Sequence, residues 1–355
     1  MKKVLVIFGG ASSEHDVSCV SARFVIESIP QDKYQVLMLG ITKNGEWFRY
    51  TGKTENLPED KWTEDKENLR KAVISPDASC HGLIVFEKDG IREEKIDVVF
   101  PVMHGKNGED GTIQGLLQLA GIPFVGCDCL SSAICMDKTL TNTVADHAGI
   151  PQAKWLGVTQ YEYSLDEDKI LDKAEEYLGY PVFVKPANAG SSVGVTKVSS
   201  RETFKEAMET AFREDRKLVL EEGIVGQEVE CAVMGNDEPV AGQVGEIVPA
   251  NEIYDFEAKY ISDASKLFIP ARLSPEKLEE VKKAACYAYK SLGCSGLARV
   301  DFFVTPDGRI MLNEPNTLPG FTSISMYPKL MAAAGIESAE LLSRLITYAE
   351  EKWSK

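Results

Sequence analysis

The feature that most limits the fold is the alternation of short apolar runs with helical patterns along the first part of the chain. Residues 4–8 are an apolar run of strand length that is followed by two glycines and a polar helix start, and residues 97–102 are a second predicted strand. Residues 112–120 place their apolar side chains on one helical face, with Gly121 as the expected C-terminal cap. Residues 51–81 are polar and patternless, which predicts loops. Strands that alternate with helices are typical of an α/β sheet with parallel strands.

The rest of the chain predicts two further units of α+β type. The second unit begins near Met136, and its expected elements are strands at 181–184, 217–221 and 228–233 and an amphipathic helix at 201–213. A chain of 355 residues has material for two to three domains, at about 150 residues each.

The third unit, from about Gly235, opens with a polar stretch at 248–268 and then contains the clearest helical pattern of the chain. Ser274 is the expected N-cap of this helix, Pro275 lies in its first turn, and Gly293 ends it. The polar stretch combines aromatic and charged residues in a long loop, which is typical of a lid that excludes water from a site. A docked surface loop is the alternative.

Composition excludes several classes of function. Acidic residues outnumber basic ones by 55 to 39, and the net charge of −16 disfavours a nucleic-acid partner. The longest uncharged stretch, residues 111–127, is broken by glycines and a proline, so no membrane span is expected. The eight cysteines form no C-x-x-C pair and lie mostly among apolar neighbours, which is typical of reduced thiols in a cytoplasmic protein.

A predicted hairpin in the third unit is the most informative element for chemistry. If its turn is symmetric, Asp301 faces Leu312, and Glu314, Asn316 and Arg299 fall on the same face as Asp301. Oxygen ligands of this kind select a hard cation such as Mg²⁺, usually shared with phosphate oxygens. A solvated sheet end with an Arg–Asp pair is the alternative, and the apolar residues that flank these positions count against it.

A second motif places Lys185 at the end of a strand, beside a loop of small residues at 186–194. Backbone N–H groups in such a loop can approach phosphate oxygens closely, although an ordinary tight turn is the alternative. The loop has neither the Lys-Ser/Thr pair of a Walker A motif nor the G-x-G-x-x-G pattern, which disfavours a nicotinamide-dependent oxidoreductase. A non-catalytic nucleotide-binding regulator is a further alternative. It would keep Lys185 but would not need Asp301, Glu314 and Asn316 together, the three residues called the metal face below.

Two further residues lie where an α/β sheet binds ligands. Glu14 stands at a strand-to-helix junction, where a helix N-terminus stabilises a carboxylate that could receive a substrate ammonium. A first-turn helix acid with no ligand is the commoner case. His104 lies just past the C-terminal end of a strand, although a lone histidine is more often structural. His15, His81 and His147 carry no functional prediction.

Together these segments resemble the ATP-grasp ligases, and among them the D-alanine–D-alanine ligase family closely, over essentially the whole chain. The motifs that carry the resemblance are residues 8–18 (FGGASSEHDVS), 104–115 (HGKNGEDGTIQG), 136–138 (MDK), 184–194 (VKPANAGSSVG), 257–260 (EAKY), 298–301 (ARVD) and 312–323 (LNEPNTLPGFTS). The resemblance implies an α/β protein with a three-domain ATP-grasp architecture, in which ATP is gripped between the second and third domains. These would be an N-terminal Rossmann-like domain with a parallel sheet at 1–136, a central domain at 137–234, and a C-terminal domain at 235–355 with a lid at about 248–268.

The resemblance also implies roles for individual residues. ATP would be bound by Lys138, Lys185, Ser192, Glu221, Glu222, Ile224, Glu228 and Lys259, with the lysines on the phosphates and Glu228 on the ribose. Two Mg²⁺ ions, or Mn²⁺ in their place, would be ligated by Asp301, Glu314 and Asn316. The first D-alanine would contact Glu14 and His104, and the second would contact Ser325, with Met326 beside it. Arg299 and Gly320 would stabilise the oxyanion. Ser191 and Tyr260 would link Glu14 to the lid.

The implied reaction joins two D-alanines through an acyl phosphate for peptidoglycan precursors, in the cytoplasm, and the implied assembly is a homodimer. Relatives that accept D-lactate carry a histidine in place of the lid tyrosine and an arginine after the acceptor serine. Tyr260 and Met326 therefore favour an amine acceptor. D-Serine, the other acceptor found among relatives, differs from D-alanine by one hydroxyl, which an apolar pocket rejects weakly.

The chain departs from the family pattern at Pro315, where the family usually has a small or branched apolar residue. Proline has no N–H to donate to a neighbouring strand, so this position must lie at a sheet edge or outside the ladder.

Overall fold

The computed structural model describes residues 1–190, 193–248 and 266–353. Within these residues the strands form three sheets, of seven, four and five strands. The expectation of a mixed α/β chain is therefore confirmed, with its strands in three sheets.

The first sheet contains the parallel strands that the sequence predicts. Its strands are β1 (Lys2–Gly9), β2 (Tyr34–Ile41), β3 (Trp47–Tyr50), β4 (Leu69–Ile74), β5 (Gly82–Glu87), β6 (Gly90–Lys95) and β7 (Val98–Val102), and its helices are α1 (His15–Ser28), α2 (Thr112–Leu119) and α3 (Cys129–Met136). The strand order is β6-β5-β4-β3-β2-β1-β7. Only β1, β2 and β7 pair in parallel, and four antiparallel strands extend the sheet beyond β2.

The prediction of loops at 51–81 is wrong for β4. Only Leu69, Ala72 and Ile74 are buried in this strand, a pattern too short to predict it. The preceding stretch consists of short 3₁₀ turns, and the fully buried Trp62 anchors it with its ring centroid 5.1 Å from that of Phe8. The Trp62 side chain therefore anchors a polar segment whose sequence shows neither helix nor strand periodicity.

The second sheet is antiparallel and has its own core. Its strands are β8 (Trp155–Thr159), β9 (Val182–Pro186), β10 (Thr196–Val198) and β11 (Lys217–Glu222), and the nearby helices are α4 (Lys138–Ala148), α5 (Gln160–Leu165), α6 (Glu167–Leu178) and α7 (Arg201–Glu214). The strand order is β10-β9-β11-β8. The apolar residues of these strands and of α6 and α7 form one cluster between residues 158 and 220.

The third sheet is antiparallel and carries the predicted hairpin. Its strands are β12 (Gln227–Gly235), β13 (Val240–Val248), β14 (Lys266–Phe268), β15 (Gly296–Val304) and β16 (Ile310–Asn316), and its helices are α8 (Pro275–Ser291), α9 (Met326–Ala333) and α10 (Ser338–Trp353). The order is β14-β13-β12-β15-β16. Helix α8 begins as predicted, because the Ser274 side chain accepts a hydrogen bond from the Lys277 N–H and Pro275 occupies the first turn.

One grouping of strands needs correction. The sequence places the strand at 228–233 in the second unit, but β12 pairs with β13 and β15 and so belongs to the third sheet. Sequence spacing alone does not reveal which of two antiparallel sheets a strand joins. The domain limits stay a prediction, and this pairing favours a boundary before Gln227.

The first and third units share a hydrophobic core. Apolar residues of β1 and α1, such as Phe8 and Val25, belong to one cluster with Met234 of β12, Leu330 of α9 and Leu342 of α10. The second unit, in contrast, packs mainly on its own cluster. Among the described residues, no helix is both long and apolar enough to cross a bilayer.

Candidate active site

Two adjoining cavities lie where the three units meet. The larger, of about 520 Å³, lies between the second and third sheets, and the smaller, of about 70 Å³, extends toward the first unit. Lys138, Gly190 and Glu314 line both. A ligand in the larger cavity can therefore be in contact with one in the smaller cavity.

The larger cavity brings together the described residues that the sequence assigns to ATP. They are Lys138, Lys185, Glu221, Glu222, Ile224 and Glu228. Lys138 starts α4, and its ammonium donates to the Ala189 carbonyl oxygen at 2.7 Å. The two lysines thus lie in a cavity that carries a loop of small residues on one side.

Lys185 is held by a charged partner on the neighbouring strand. β9 and β11 are antiparallel neighbours, and the Lys185 Nζ lies 2.7 Å from the Glu221 Oε2. Burial opposes the charge on Lys185, but Glu221 outweighs it and raises the pKa of the lysine. Burial likewise works against ionisation of Glu221, but Lys185 and an Asn142 hydrogen bond lower its pKa. Both groups are therefore charged at neutral pH.

The hairpin face that carries Asp301, Glu314 and Asn316 forms, but with a different register from the predicted one. Asp301 lies opposite Glu314, not Leu312, because the register shifts by one residue between Asp301 and Phe302. A bulge of this kind adds one residue to one strand, which a strict period of two cannot anticipate. It places Asp301 and Glu314 directly across from each other, so the two carboxylates are closer than predicted.

The remaining residues of this face support a cation site. Arg299 lies opposite Asn316, and β16 is an edge strand, so the edge position expected for Pro315 is confirmed. The Asn316 Oδ1 is buried and has no hydrogen-bond partner among the described residues. A buried amide oxygen on the same face as two carboxylates is a donor set that could hold a hard cation.

Arg299 is clamped by two buried carboxylates. Its Nε and Nη2 donate to the two Asp301 oxygens at 2.8 and 2.6 Å, and its Nε lies 3.2 Å from the Glu230 Oε2. Burial opposes the charge, but Asp301 and Glu230 raise the pKa of Arg299 well above its usual value. The guanidinium also lines the smaller cavity, where it can donate to an anionic oxygen.

The smaller cavity collects the residues predicted at the first substrate and at the oxyanion. Glu14, His104, Arg299 and Gly320 line it. The buried Glu14 carboxylate approaches the backbone so closely that a Cβ atom at Gly105 would lie 2.4 Å from its Oε2. A side chain at this position would therefore displace the Glu14 carboxylate, and the φ of +67° at Gly105 also favours glycine.

His104 is part of a buried group of hydrogen-bonding and titratable side chains. Its Nδ1 donates to the Leu318 carbonyl oxygen at 3.0 Å and lies 3.6 Å from the Glu109 Oε1, and its Nε2 is 3.3 Å from the Ser21 Oγ. Burial lowers the pKa of His104, but the hydrogen bond and charge of Glu109 outweigh it and raise the pKa. Burial and the charge of Glu14 raise the pKa of Glu109, against the opposing effect of His104.

Comparison with known proteins identifies the family. A model described as the D-ala D-ala ligase N-terminus matches residues 3–127, and one described as the D-ala D-ala ligase C-terminus matches residues 144–347. The D-alanine–D-alanine ligases of Acetivibrio thermocellus and Caldicellulosiruptor bescii are 51% and 50% identical, each over 99% of this chain and over 97% and 95% of their own lengths. The chain belongs to the D-alanine–D-alanine ligase family. Members of this family are ATP-dependent ligases with the ATP-grasp fold, so both expectations are confirmed.

Solved structures of related ligases superpose on the whole chain. The D-Ala:D-Ser ligase VanG from Enterococcus faecalis is 44% identical, with a TM-score of 0.90, and the match covers 98% of this chain and 99% of that one. The D-alanine–D-alanine ligase from Coxiella burnetii is 33% identical, with a TM-score of 0.85 and coverage of 100% and 96%.

Several residues assigned from the family resemblance are not at either cavity or are not described. Ser191, Ser192, Lys259 and Tyr260 lie outside the described residues, as does the lid stretch from 249 to 265.

Ser325 occupies the N-cap position of α9 but makes no capping hydrogen bond with its side chain; its Oγ instead accepts from the Thr322 N–H at 3.0 Å. A Cβ atom at Gly320, which lines the smaller cavity, would lie 2.9 Å from this hydroxyl. The Met326 side chain is instead 6% exposed and packs in the core shared by the first and third units. Its predicted contact with substrate is not supported by this position, because the start of α9 turns the side chain inward.

The family motifs also contain residues that the sequence analysis missed. Glu109 lies in the same motif as His104 and pairs with it, a signal that was available in the sequence. The buried His15 follows Glu14, with its Nδ1 2.8 Å from the Gly10 oxygen and its Nε2 3.1 Å from the Asp60 Oδ1. It therefore supports the glycine turn in front of Glu14, and the partner from residue 60 could not be foreseen.

Proposed function

We propose that this chain uses ATP to join two molecules of D-alanine into D-alanyl-D-alanine, a precursor of peptidoglycan. The observation that carries the proposal is the junction of the two cavities at Lys138 and Glu314. A nucleotide in the larger cavity would present its terminal phosphate beside the carboxylate of an amino acid in the smaller one. Full-length relatives that are named D-alanine–D-alanine ligase, and whose sequences are about 50% identical to this chain, support the same reaction.

The larger cavity would bind ATP through charge and shape. Lys138 and Lys185 would offset the negative charge of the phosphates, and small residues such as Gly190 allow the backbone to approach them. Glu228, at the start of β12, would accept hydrogen bonds from the ribose hydroxyls. Glu221, Glu222 and Ile224 would line the adenine.

The donor set of the hairpin fits Mg²⁺, and Asp301, Glu314 and Asn316 would hold two such ions. All three offer oxygen atoms on one face, and the Asn316 Oδ1 has no hydrogen-bond partner among the described residues. Bound there, Mg²⁺ would supply positive charge to the phosphate oxygens.

The smaller cavity would activate the first D-alanine. Glu14 would bind its ammonium, which leaves the carboxylate free to attack the γ-phosphorus and release ADP. Because a carboxylate is a poor electrophile, the resulting acyl phosphate is what makes the next step feasible. His104 and Glu109 lie beside Glu14 and would fix its surroundings.

The second D-alanine would attack the acyl carbon through its amine. Arg299 and the Gly320 N–H would stabilise the oxyanion that forms, the amine would lose a proton, and inorganic phosphate would leave. Ser325 would bind the carboxylate of this second D-alanine. Lys259 and Tyr260 belong to the proposed lid, whose role is to keep water from the acyl phosphate, and Ser191 and Tyr260 would hydrogen-bond with Glu14 to lock it.

Further properties of the assembly follow as proposals. We place the protein in the cytoplasm, where ATP is abundant and where its eight cysteines, all of them free thiols, would stay reduced. We also propose a homodimer, as the family resemblance implies, to be tested by sedimentation.

The experiment that tests the reaction offers D-alanine together with equal D-alanine, D-serine and D-lactate as competing acceptors. We expect D-alanyl-D-alanine as the main product and phosphate release that requires D-alanine and Mg²⁺. A majority of D-alanyl-D-serine would move the chain to the specificity named for VanG. Phosphate release at the same rate without any D-amino acid would contradict a ligase.

A further inference from the structure

Three carboxylates form a row across the third sheet. Glu230 of β12 lies opposite Asp301 of β15, and Asp301 lies opposite Glu314 of β16. Asp301 and Glu314 belong to the proposed metal face, whereas Glu230 has no assigned role. Glu230 and Asp301 are each 2% exposed, and in the described part of the chain both lie outside the lining of the two cavities. A buried carboxylate needs compensation, so its place in this row calls for an explanation.

Arg299 contacts two members of this row. It donates to both oxygens of Asp301, at 2.8 and 2.6 Å, and its Nε lies 3.2 Å from Glu230. The residue opposite Arg299 on β12 is Ala232, whose small side chain leaves room for the guanidinium to lie along the sheet. The Arg299 guanidinium can therefore transfer its hydrogen bonds from Asp301 to Glu230 without moving to a new position.

The pairing with Asp301 conflicts with the proposed chemistry. Asp301 must turn an oxygen toward Mg²⁺, yet both of its oxygens receive hydrogen bonds from Arg299. When a cation takes Asp301, Arg299 loses its bidentate partner inside a largely buried site. A guanidinium left without a partner there carries a large desolvation cost.

We propose that Glu230 is a positioning residue that holds Arg299 when Asp301 binds the metal. This inference rests on the proposed function, because it takes Asp301 as a ligand and Arg299 as the oxyanion donor. Glu230 keeps the guanidinium charged, buried and near the smaller cavity in both states. It thereby lowers the free energy needed to release Asp301 to the ion.

The test measures Mn²⁺ binding by electron paramagnetic resonance in the presence of ADP, with no D-alanine, so that activity is not the readout. In Glu230→Gln, Arg299 loses the charged partner that would hold it once Asp301 turns to the ion, and we expect Mn²⁺ affinity to fall about tenfold, the size of effect produced by losing one interaction with a charged group. Arg299→Gln frees Asp301, so its Mn²⁺ affinity should equal or exceed that of the wild type. The double variant Glu230→Gln/Arg299→Gln removes both charges of this pair, so its Mn²⁺ affinity should match that of Arg299→Gln.

A matched control is Glu94→Gln. Glu94 pairs with Arg49 at 3.1 Å in the first sheet, and both side chains are about as buried as Arg299. We expect unchanged Mn²⁺ affinity in this variant, even if its stability falls.

The outcomes separate this inference from the function on which it rests. If Asp301→Asn binds Mn²⁺ as tightly as the wild type, the proposed metal site fails. If Asp301→Asn weakens binding but Glu230→Gln does not, only the positioning role is overturned. If Glu230→Gln does not fold, the double variant Glu230→Gln/Arg299→Gln provides the test. Weaker Mn²⁺ binding by this double variant than by Arg299→Gln alone would overturn the positioning role, because Glu230 would then affect the ion without Arg299.

Discussion

At the scale of single residues, the chemistry depends on carboxylates kept charged in buried places. Asp301 is 2% exposed and is neutralised by Arg299, and Glu221 is neutralised by Lys185. Each of these acids is paired with a cation that also faces a cavity. Loss of a side chain therefore removes a ligand and also frees a buried cation, and predictions must separate the two effects.

Replacing Asp301 by Asn should abolish turnover but leave the fold intact. The amide keeps the shape of the carboxylate but loses the charge that a hard cation needs, so we expect turnover below about one hundredth of the wild-type rate. Arg299 keeps Glu230 as a partner, so the buried guanidinium is not left unpaired. Steady-state phosphate release and a thermal melt check both statements. A variant with near-normal turnover would remove Asp301 from the metal site.

The pair of His104 and Glu109 should make stability depend on pH. Both pKa values are raised in the folded protein, so the folded state binds more protons than the unfolded one, and stability falls as the pH rises above the ordinary values of these groups. In Glu109→Gln, we expect a smaller decrease in the midpoint of thermal unfolding between pH 6 and pH 8. His147→Gln, which removes a histidine at the end of α4, serves as the control. Equal slopes in the wild type and Glu109→Gln would contradict the coupling.

At the scale of elements, helix α4 delivers Lys138 to both cavities. Asp137 caps this helix, because its Oδ1 accepts from the Thr139 and Leu140 N–H groups at 3.0 and 3.2 Å, and it forms an ion pair with Lys217. The cap thus fixes the first turn, in which Lys138 lies.

Asp137→Ala should therefore weaken both the helix and the site. Loss of an N-cap costs about 1–2 kcal/mol, and we expect a higher KM for ATP as the first turn loosens. Thr159→Ala removes the capping box of α5, which lies outside the cavities, and should lower stability without changing this KM. If the KM for ATP stays at its wild-type value in Asp137→Ala, the cap does not position Lys138.

How far the sequence predicts these elements depends on how local their causes are. The start of α8 was predictable because Ser274 and Pro275 act within one turn. The bulge beside Asp301 was not, because one extra residue in β16 follows from pairing across the sheet. The partnership of Arg299 with Glu230 was also hidden, since the two residues are far apart in sequence and meet only through the register of β12 and β15.

The site residues divide in the same way. Glu14, Lys185 and Glu314 lie in motifs whose resemblance to a family identified them, and the structure places each in a cavity wall. Met326 had the same support, but the turn at the start of α9 directs its side chain into the core. A motif gives the position of a residue in the chain, whereas the direction of its side chain depends on the packing around it.

At the scale of the whole molecule, the arrangement of cores indicates which parts can move. The first and third units share one core, and the second unit has its own. The larger cavity lies between the second and third sheets, so the two walls of the nucleotide site belong to different packing units. A ligand that bridges them should hold the second unit against the rest.

ADP with Mg²⁺ should therefore stabilise the molecule more than ADP alone. A ligand that binds only the folded state adds about 2.7 kcal/mol at a concentration of one hundred times its Kd, and the ions contribute by linking the phosphates to Asp301 and Glu314. Thermal melts should show a larger shift with Mg²⁺ than with EDTA, and Asp301→Asn should reduce this difference. Hydrogen exchange should slow in β9, β11 and β16 but not in the remote strands β5 and β6. If the midpoint of thermal unfolding rises equally with Mg²⁺ and with EDTA, the nucleotide binds without ions at Asp301 and Glu314. The metal face would then not link the two walls of the larger cavity.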